Sequence, residues 1–130
     1  MIVADASAVL ELLLAPEANP GLIQRLGAPG ETLHAPHLLD AEVVSALRRY
    51  AGRHEVVEER AAAAIADLRA LPVERHPHTT LLERAWELRR TITAYDAMYV
   101  ALAEALDAPL VTRDARLARS HGHRARIVLA

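Results

Sequence analysis

The sequence contains no cysteine, no lysine and no phenylalanine among its 130 residues. Without cysteine, neither a disulfide framework nor a cysteine-ligated zinc site can form. Without lysine, the chain lacks the residue on which a Walker A phosphate loop and a Schiff-base site depend. Phosphoacceptor domains of the receiver or haloacid-dehalogenase type also rely on a lysine. An aromatic content of 3% argues against a domain that recognises RNA by stacking bases on a sheet.

Long apolar runs are also missing. No run approaches the ~20 residues of a membrane span, and the N-terminus lacks a basic segment followed by an apolar one. We therefore expect a cytoplasmic protein without membrane contact. The length fits one domain spanning residues 1–130. With 52% hydrophobic residues, 25% charged residues and a formal net charge of −2, the composition is that of an ordinary globular domain.

Short apolar segments alternate with helical ones along the chain. The predicted strands are 2–4, 32–35, 73–75, 110–112 and 127–129. The predicted helices are 6–14, a short one ending near 27, 36–50, 55–71, 79–90, 93–107 and 114–120. This alternation predicts an α/β fold, with a central parallel sheet of four or five strands flanked by helices on both faces. Ligands of such sheets bind beyond the carboxyl ends of the strands, which makes the joints between strand and helix the candidate positions.

Two of these joints carry an aspartate. Asp5 follows the first predicted strand, in VADAS, and Asp114 follows a later one, in LVTRDARLA. Either residue alone is explained by a helix N-cap, which contributes about 1 kcal/mol. If both strands lie side by side in the interior of a parallel sheet, however, the two carboxylates emerge at the same edge.

Two further acids lie on predicted helices. Asp96 follows Thr93 by three residues, so it either completes a capping box or serves a site at the positive end of the helix. Glu42 lies at the margin of the apolar stripe of helix 36–50 and has no arginine four residues on, so a simple surface ion pair does not explain it. Asp40, on the other side of that stripe, is interpreted as solvent-facing or as a cap.

A cluster of these acids would need compensation. Two carboxylates ~4 Å apart repel by about 4 kcal/mol at an effective dielectric constant of 20. That repulsion exceeds what one N-cap contributes, so protons, arginines or a divalent cation must offset it. Donor sets made only of Asp and Glu oxygens suit Mg²⁺ or Mn²⁺.

The order and surroundings of these acids strongly resemble those of PIN-domain ribonucleases, in particular the VapC-type toxins of bacterial toxin–antitoxin modules. The resemblance rests on Asp5 in VADAS, Glu42 in DAEVVSALRR, Asp96 in TAYDAMYVALA and Asp114 in VTRDARLA. It implies a PIN-like three-layer fold and a Mg²⁺- or Mn²⁺-dependent endoribonuclease that hydrolyses single-stranded or structured RNA.

The resemblance also implies roles for individual residues. Asp5, Glu42, Asp96 and Asp114 would be catalytic, with the three aspartates binding metal and the glutamate orienting or activating the attacking water. Two hydroxyl side chains would support them: Ser7 and Thr112. Many relatives carry a further acid two residues after the last aspartate, where this sequence has Arg116. We therefore expect one well-defined metal ion, and the alternative of a second ion that arrives with the substrate stays open. Arginines near the acids are candidates for RNA contact: Arg113, Arg116, Arg119, Arg48 and Arg49.

The family further implies a homodimer and a cognate antitoxin whose tail covers the site. Two alternatives stay open: a PIN-like module that binds RNA or protein without cutting, and a housekeeping PIN nuclease that is not a toxin. A metal-dependent turnover assay separates the first alternative from the enzyme.

Other conspicuous side chains are given structural interpretations. Trp86 is predicted to pack in the core or at an interface. Tyr95 and Tyr99, which flank Asp96, are predicted to pack rather than to contact a base. Four histidines lack the i,i+4 spacing of a helical zinc motif and are predicted to lie on the surface. They form two close pairs: His76 with His78, and His121 with His123.

Overall fold

A computed structural model describes residues 1–130. Its strands are β1 (Ile2–Ala4), β2 (Leu33–Pro36), β3 (Val73–His76), β4 (Leu110–Thr112) and β5 (Ile127–Leu129). Its α-helices are α1 (Ala6–Leu14), α2 (Pro20–Leu26), α3 (Leu38–Gly52), α4 (Glu58–Ala70), α5 (Leu82–Glu87), α6 (Ala94–Leu106) and α7 (Ala115–Ala118). Two short 3₁₀ helices span Pro16–Ala18 and Thr79–Leu81. All strands are parallel, in the order β3-β2-β1-β4-β5, which confirms the predicted α/β fold.

Both faces of the central strands are covered. Every residue of β1, β2 and β4 is buried, and because successive side chains of a strand point to opposite faces, helices must pack on each side. Helix α6 packs on β1, β2 and β4, and small side chains such as Ala97 and Ala101 allow this close approach. No helix combines the length and the hydropathy that crossing a membrane requires.

The region 79–90 differs from its prediction. Instead of one helix, the chain forms a 3₁₀ turn and then the short helix α5. Two consecutive β-branched residues, Thr79 and Thr80, lower the helix propensity at its start. Of the two positions predicted for Trp86, the core is wrong, since the residue is 67% exposed and carries the Arg89 guanidinium 4.2 Å above its ring, and an interface stays a prediction.

The sheet register places two of the predicted site residues together. β1 and β4 pair directly, with Ala4 opposite Val111. Asp5 follows β1 and Asp114 lies just beyond β4, so both emerge at the carboxyl edge of neighbouring central strands. This edge is where parallel α/β sheets form their ligand sites.

Candidate active site

All four predicted acids line one open cleft of about 960 Å³. Asp5 lies between β1 and α1, and Asp114 lies between β4 and α7. Asp96 is in the first turn of α6, and Glu42 is on α3. The fold therefore brings together side chains that are up to 109 positions apart, from Asp5 to Asp114.

Asp5 is the most buried of the four and is held by several donors. The Ser7 hydroxyl donates to Oδ1 over 2.6 Å, and the Ala8 amide donates to the same oxygen over 3.0 Å. The Thr112 hydroxyl donates to Oδ2. Burial raises the pKa of Asp5, these hydrogen bonds act in the opposite direction, and the negative charge of Asp114 adds to the rise. Asp5 thus caps α1 and, at the same time, faces the cleft.

Asp114 also combines a cap with a cleft position. Its Oδ1 accepts hydrogen bonds from the amides of Arg116 and Leu117, at 2.8 and 3.4 Å. Its own amide donates to the Thr112 hydroxyl oxygen over 2.9 Å. Because the cap uses one oxygen, Oδ2 stays available to the cleft. The cap and the functional interpretation are therefore compatible.

Asp96 takes part in only half of a capping box. The Thr93 hydroxyl oxygen accepts a hydrogen bond from the Asp96 amide over 3.1 Å, but the Asp96 carboxylate returns none to Thr93. The carboxylate is free to face the cleft instead. Burial raises the pKa of Asp96, and the charge of Asp114 raises it further.

The sequence did not identify the partner of Glu42. The hydroxyl of Tyr99, which is only 1% exposed, donates to Glu42 Oε1 over 2.7 Å. Burial raises the pKa of Glu42, the tyrosine bond lowers it, and the charges of Asp96 and Asp5 raise it. The spacing of Asp96 and Tyr99, three residues apart on α6, was the available signal, since it puts both side chains on one face. Tyr95, predicted to pack, is instead 66% exposed and lines the cleft.

The four predicted acids are not neutralised by arginine. Among them only Asp114 has a guanidinium within 4.0 Å, that of Arg116 at 3.9 Å, and this arginine side chain is 88% exposed. No three of the four carboxylates bring oxygens within 4.8 Å of one another. Such spacing suits a cation that keeps part of its water shell and takes one or two carboxylates directly, as Mg²⁺ does. The oxygen-only donor set fits a hard divalent cation.

The predicted RNA-contact arginines divide into three groups. Arg49 and Arg113 line the cleft, and Arg113 also forms an ion pair with Glu11, a cleft acid that the sequence did not single out. Arg116 is exposed and near Asp114. Two arginines are exposed but do not line the cleft: Arg48 and Arg119.

An acid outside the cleft behaves differently. Asp40, predicted to face solvent or to cap a helix, forms two hydrogen bonds with the Arg75 guanidinium, at 2.8 and 2.9 Å. The Asp40 side chain is 43% exposed, so it faces solvent as predicted, but the ion pair was not predicted because Arg75 belongs to β3, whose position relative to α3 depends on pairing between distant strands.

Comparison with known proteins gives a consistent picture. Residues 2–121 match the family model described as PIN domain. The chain is similar to Ribonuclease VapC12 of Mycobacterium tuberculosis, with 45% identity over 129 residues, 99% of this chain and 98% of the relative. It is 50% identical over 117 residues to Ribonuclease VapC9 of the same organism, covering 90% of this chain and 88% of the relative. A toxin–antitoxin complex from Klebsiella pneumoniae shares the fold, with a TM-score of 0.66, 18% identity and coverage of 98% and 96% of the two chains.

Proposed function

This chain belongs to the PIN-domain family, and from that membership we propose that it is a VapC-type endoribonuclease, the toxin of a toxin–antitoxin pair. The observation that carries the proposal is one cleft lined by four carboxylates from distant parts of the chain, three of which have no arginine partner. Repulsion between these carboxylates disfavours their ionised forms, and a bound cation would relieve it. A divalent cation, Mg²⁺ or Mn²⁺, is the ligand that fits.

Asp5, Asp96 and Asp114 would hold this ion, one or two of them directly and the rest through water molecules. When bound, a divalent cation polarises a scissile phosphate and makes a water molecule a better nucleophile at neutral pH. The chain holds the metal-binding carboxylates in place. Ser7 and Thr112 fix both oxygens of Asp5, and the cap hydrogen bonds of Asp114 fix the orientation of its carboxylate. Rigid ligands of this kind preserve the geometry that phosphodiester hydrolysis requires.

Glu42 would orient the attacking water and accept its proton. The Tyr99 hydroxyl holds Oε1, so Oε2 is available to a water molecule in the cleft. A general base works best when its pKa lies near the operating pH. The raised pKa of Glu42, caused first by burial, moves this carboxyl in that direction.

The RNA backbone would be recognised by cations on the cleft wall. Arg49 and Arg113 supply positive charge within the cleft. Because the whole chain has a net negative charge, attraction of the phosphates depends on such cations at the binding site. The exposed ring of Tyr95 adds a surface on which a base can stack. Arg113 would share its guanidinium between Glu11 and a phosphate.

The same proposal includes a cognate antitoxin as partner, a homodimer as the oligomeric state and the cytoplasm as the location. The fold is shared with a protein found in a toxin–antitoxin complex. Beyond the acids, the cleft continues along apolar side chains: Leu10, Leu14, Leu38 and Val56. An antitoxin segment that packs against this apolar part would exclude RNA from the acids.

A cleavage assay tests the enzyme. Purified protein is incubated with a fluorogenic RNA in Mg²⁺, in Mn²⁺ or in EDTA, and we expect turnover with either metal and none with EDTA. Retention of RNA without metal-dependent turnover would support the binding-module alternative instead. Growth arrest on expression, relieved by a small neighbouring gene, separates a toxin from a housekeeping nuclease.

A further inference from the structure

A second group of metal-binding side chains lies at the β2–β3 edge of the sheet. It consists of His34 on β2 and of Glu74 and His76 on β3. None of the three lines the acidic cleft. It is the one place in the structure where three potential metal-ligand atoms lie within 4.8 Å of one another.

Strand pairing brings these residues together. In the parallel register His34 lies opposite Glu74, and β3 continues to His76 two residues later. Because side chains alternate along a strand, Glu74 and His76 share one face. His76 and His78, predicted to lie on the surface, are both half-buried. His76 contacts His34, which the sequence did not predict, while His78 Nε2 accepts a hydrogen bond from the Leu38 amide over 3.0 Å.

The distances resemble those of a coordination shell. His34 Nδ1 lies 3.0 Å from His76 Nε2 and 3.5 Å from Glu74 Oε2. Zinc binds His nitrogen and carboxylate oxygen at about 2.0–2.2 Å in a tetrahedral arrangement, which places neighbouring ligand atoms about 3.3–3.5 Å apart. The observed separations differ from these values by a few tenths of an ångström, which rotation of the exposed Glu74 and half-buried His76 side chains can supply.

Thr32 orients the central ligand. Its hydroxyl is 2.9 Å from His34 Nε2, so the other ring nitrogen, Nδ1, is directed at His76 and Glu74. His34 is only 4% exposed and is therefore held in this orientation. A hydrogen-bonding partner on the far nitrogen of a ligating histidine is the usual arrangement in metal sites, where it fixes the tautomer.

We propose that His34, Glu74 and His76 bind Zn²⁺, or a transition metal ion of similar chemistry, with a fourth position open to solvent at the edge strand β3. Two imidazoles and one carboxylate favour such an ion over Mg²⁺, which prefers oxygen ligands. The bound ion would link two strands whose ligands lie 42 positions apart in the chain. This site is independent of RNA cleavage.

Calorimetry on untagged, full-length, chelator-treated protein tests the site. Zn²⁺ is titrated in the presence of excess Mg²⁺, which competes with Zn²⁺ for the acidic cleft of the proposed function. We expect one Zn²⁺ per chain. In His76→Ala, binding should be at least about 100-fold weaker, because loss of a side chain that only hydrogen-bonds to a ligand already lowers metal affinity by about 10–100-fold, and His76 would itself be a ligand. Glu74→Gln, an exposed and nearly isosteric change, should also weaken binding while leaving the fold intact.

Matched variants locate the ion. Asp96→Asn, in the acidic cleft, and His121→Ala, an exposed histidine of the other pair, should bind Zn²⁺ as the unmodified protein does. Wild-type affinity in both His76→Ala and Glu74→Gln, loss of binding in Asp96→Asn or His121→Ala, or no binding by the unmodified protein would each overturn the proposal.

Co²⁺ gives a second readout. Four-coordinate Co²⁺ absorbs visible light much more strongly than six-coordinate Co²⁺, so we expect intense bands with the unmodified protein and their loss in His76→Ala. Weak bands that are unchanged by His76→Ala would place the ion elsewhere and contradict the proposal.

Discussion

Helix α6 carries a buried or half-buried carboxylate near each end. The two differ in whether an arginine binds them and in the direction of their pKa shifts. Asp96, in the first turn, has no arginine within ion-pair distance, and burial together with Asp114 raises its pKa. Glu104, eight residues later, is bound by Arg84 at 2.8 and 3.1 Å and by the Arg124 amide at 2.8 Å. The Arg84 bonds lower the pKa of Glu104, whose side chain is 4% exposed.

The helix dipole alone would produce the opposite pattern. It favours an anion at the N-terminus, where Asp96 lies, and disfavours one near the C-terminus, where Glu104 lies. Burial of Asp96 and the Arg84 hydrogen bonds of Glu104 therefore outweigh the helix dipole in setting the direction of the two pKa shifts. The chain has 15 arginines, so the missing ion pair at Asp96 does not reflect a shortage of cations. The comparison fits the proposed function, in which Glu104 is structural and receives an arginine, whereas Asp96 is left for a metal ion.

The largest expected effect is a difference in RNA cleavage between variants of Asp96 and of Glu104. Asp96→Asn should lower metal-dependent RNA cleavage by about a thousandfold, since metal stabilisation of transition-state charge amounts to several kcal/mol. Glu104→Gln should keep the activity of each folded molecule. Initial rates on the fluorogenic RNA, corrected for the folded fraction by circular dichroism, measure both. Equal losses in the two variants would remove the distinction.

The next largest effect is on the free energy of unfolding and concerns the arginine that binds Glu104. Arg84→Ala leaves Glu104 nearly buried with only Arg124 nearby, and breaking a buried ion pair costs about 3 kcal/mol. We expect a corresponding loss in the free energy of unfolding, measured with urea, and no change in activity per folded molecule. Arg89→Ala is the matched control, because Arg89 lies exposed over Trp86 and should contribute less than about 1 kcal/mol. An Arg84 variant as stable as this control would contradict the structural role of Glu104.

The sequence predicted which acids line the cleft better than it predicted the contacts between side chains of distant elements. Asp5 and Asp114 could be predicted because strand–helix joints of a parallel sheet share an edge, a rule that needs no register. The Tyr99–Glu42 bond, the Arg75–Asp40 ion pair and the His34–His76 contact could not, since each depends on the relative position of distant elements. A one-residue shift of β3 would turn His76 to the other face of the sheet.

A smaller effect concerns the pH dependence of the reaction. Tyr99→Phe removes the hydrogen bond that favours ionised Glu42, so the pKa of Glu42 should rise further. The acidic limb of the pH–rate profile should then move to higher pH, with about a tenfold loss on that limb, as expected for one hydrogen bond to a charged group. Tyr50→Phe is the control, since Tyr50 lines the same cleft without a side-chain hydrogen bond. An unshifted profile in Tyr99→Phe would exclude Glu42 as the titrating base.

The smallest effect is on the pH dependence of stability without metal. Because the pKa of Asp96 is raised on folding, the folded state binds more protons than the unfolded state just above ordinary carboxyl pKa values. The stabilisation by protonated Asp96 is complete at low pH and is lost as pH rises through the raised pKa. Glu104, with a lowered pKa, stabilises above the ordinary value and loses this contribution as pH falls.

Urea unfolding in EDTA at pH 5 and pH 7 measures this difference. The quantity compared is the free energy of unfolding of Asp96→Asn minus that of the unmodified protein. This difference should be more positive at pH 7 than at pH 5, by less than about 1 kcal/mol because Asp96 is half-exposed. The same comparison for Glu104→Gln should have the opposite sign. Shifts of the same sign in both variants would contradict the contrast between the two ends of α6.

Binding of Mn²⁺, followed by the loss of its free-ion electron paramagnetic resonance signal, tests the central claim most directly. The account predicts that the unmodified protein and Glu104→Gln each deplete the free signal with the same affinity, whereas Asp96→Asn leaves most of the ion free. Undiminished Mn²⁺ binding in Asp96→Asn, or no binding by the unmodified protein, would contradict the claim that the unpaired carboxylates of the cleft hold a divalent cation.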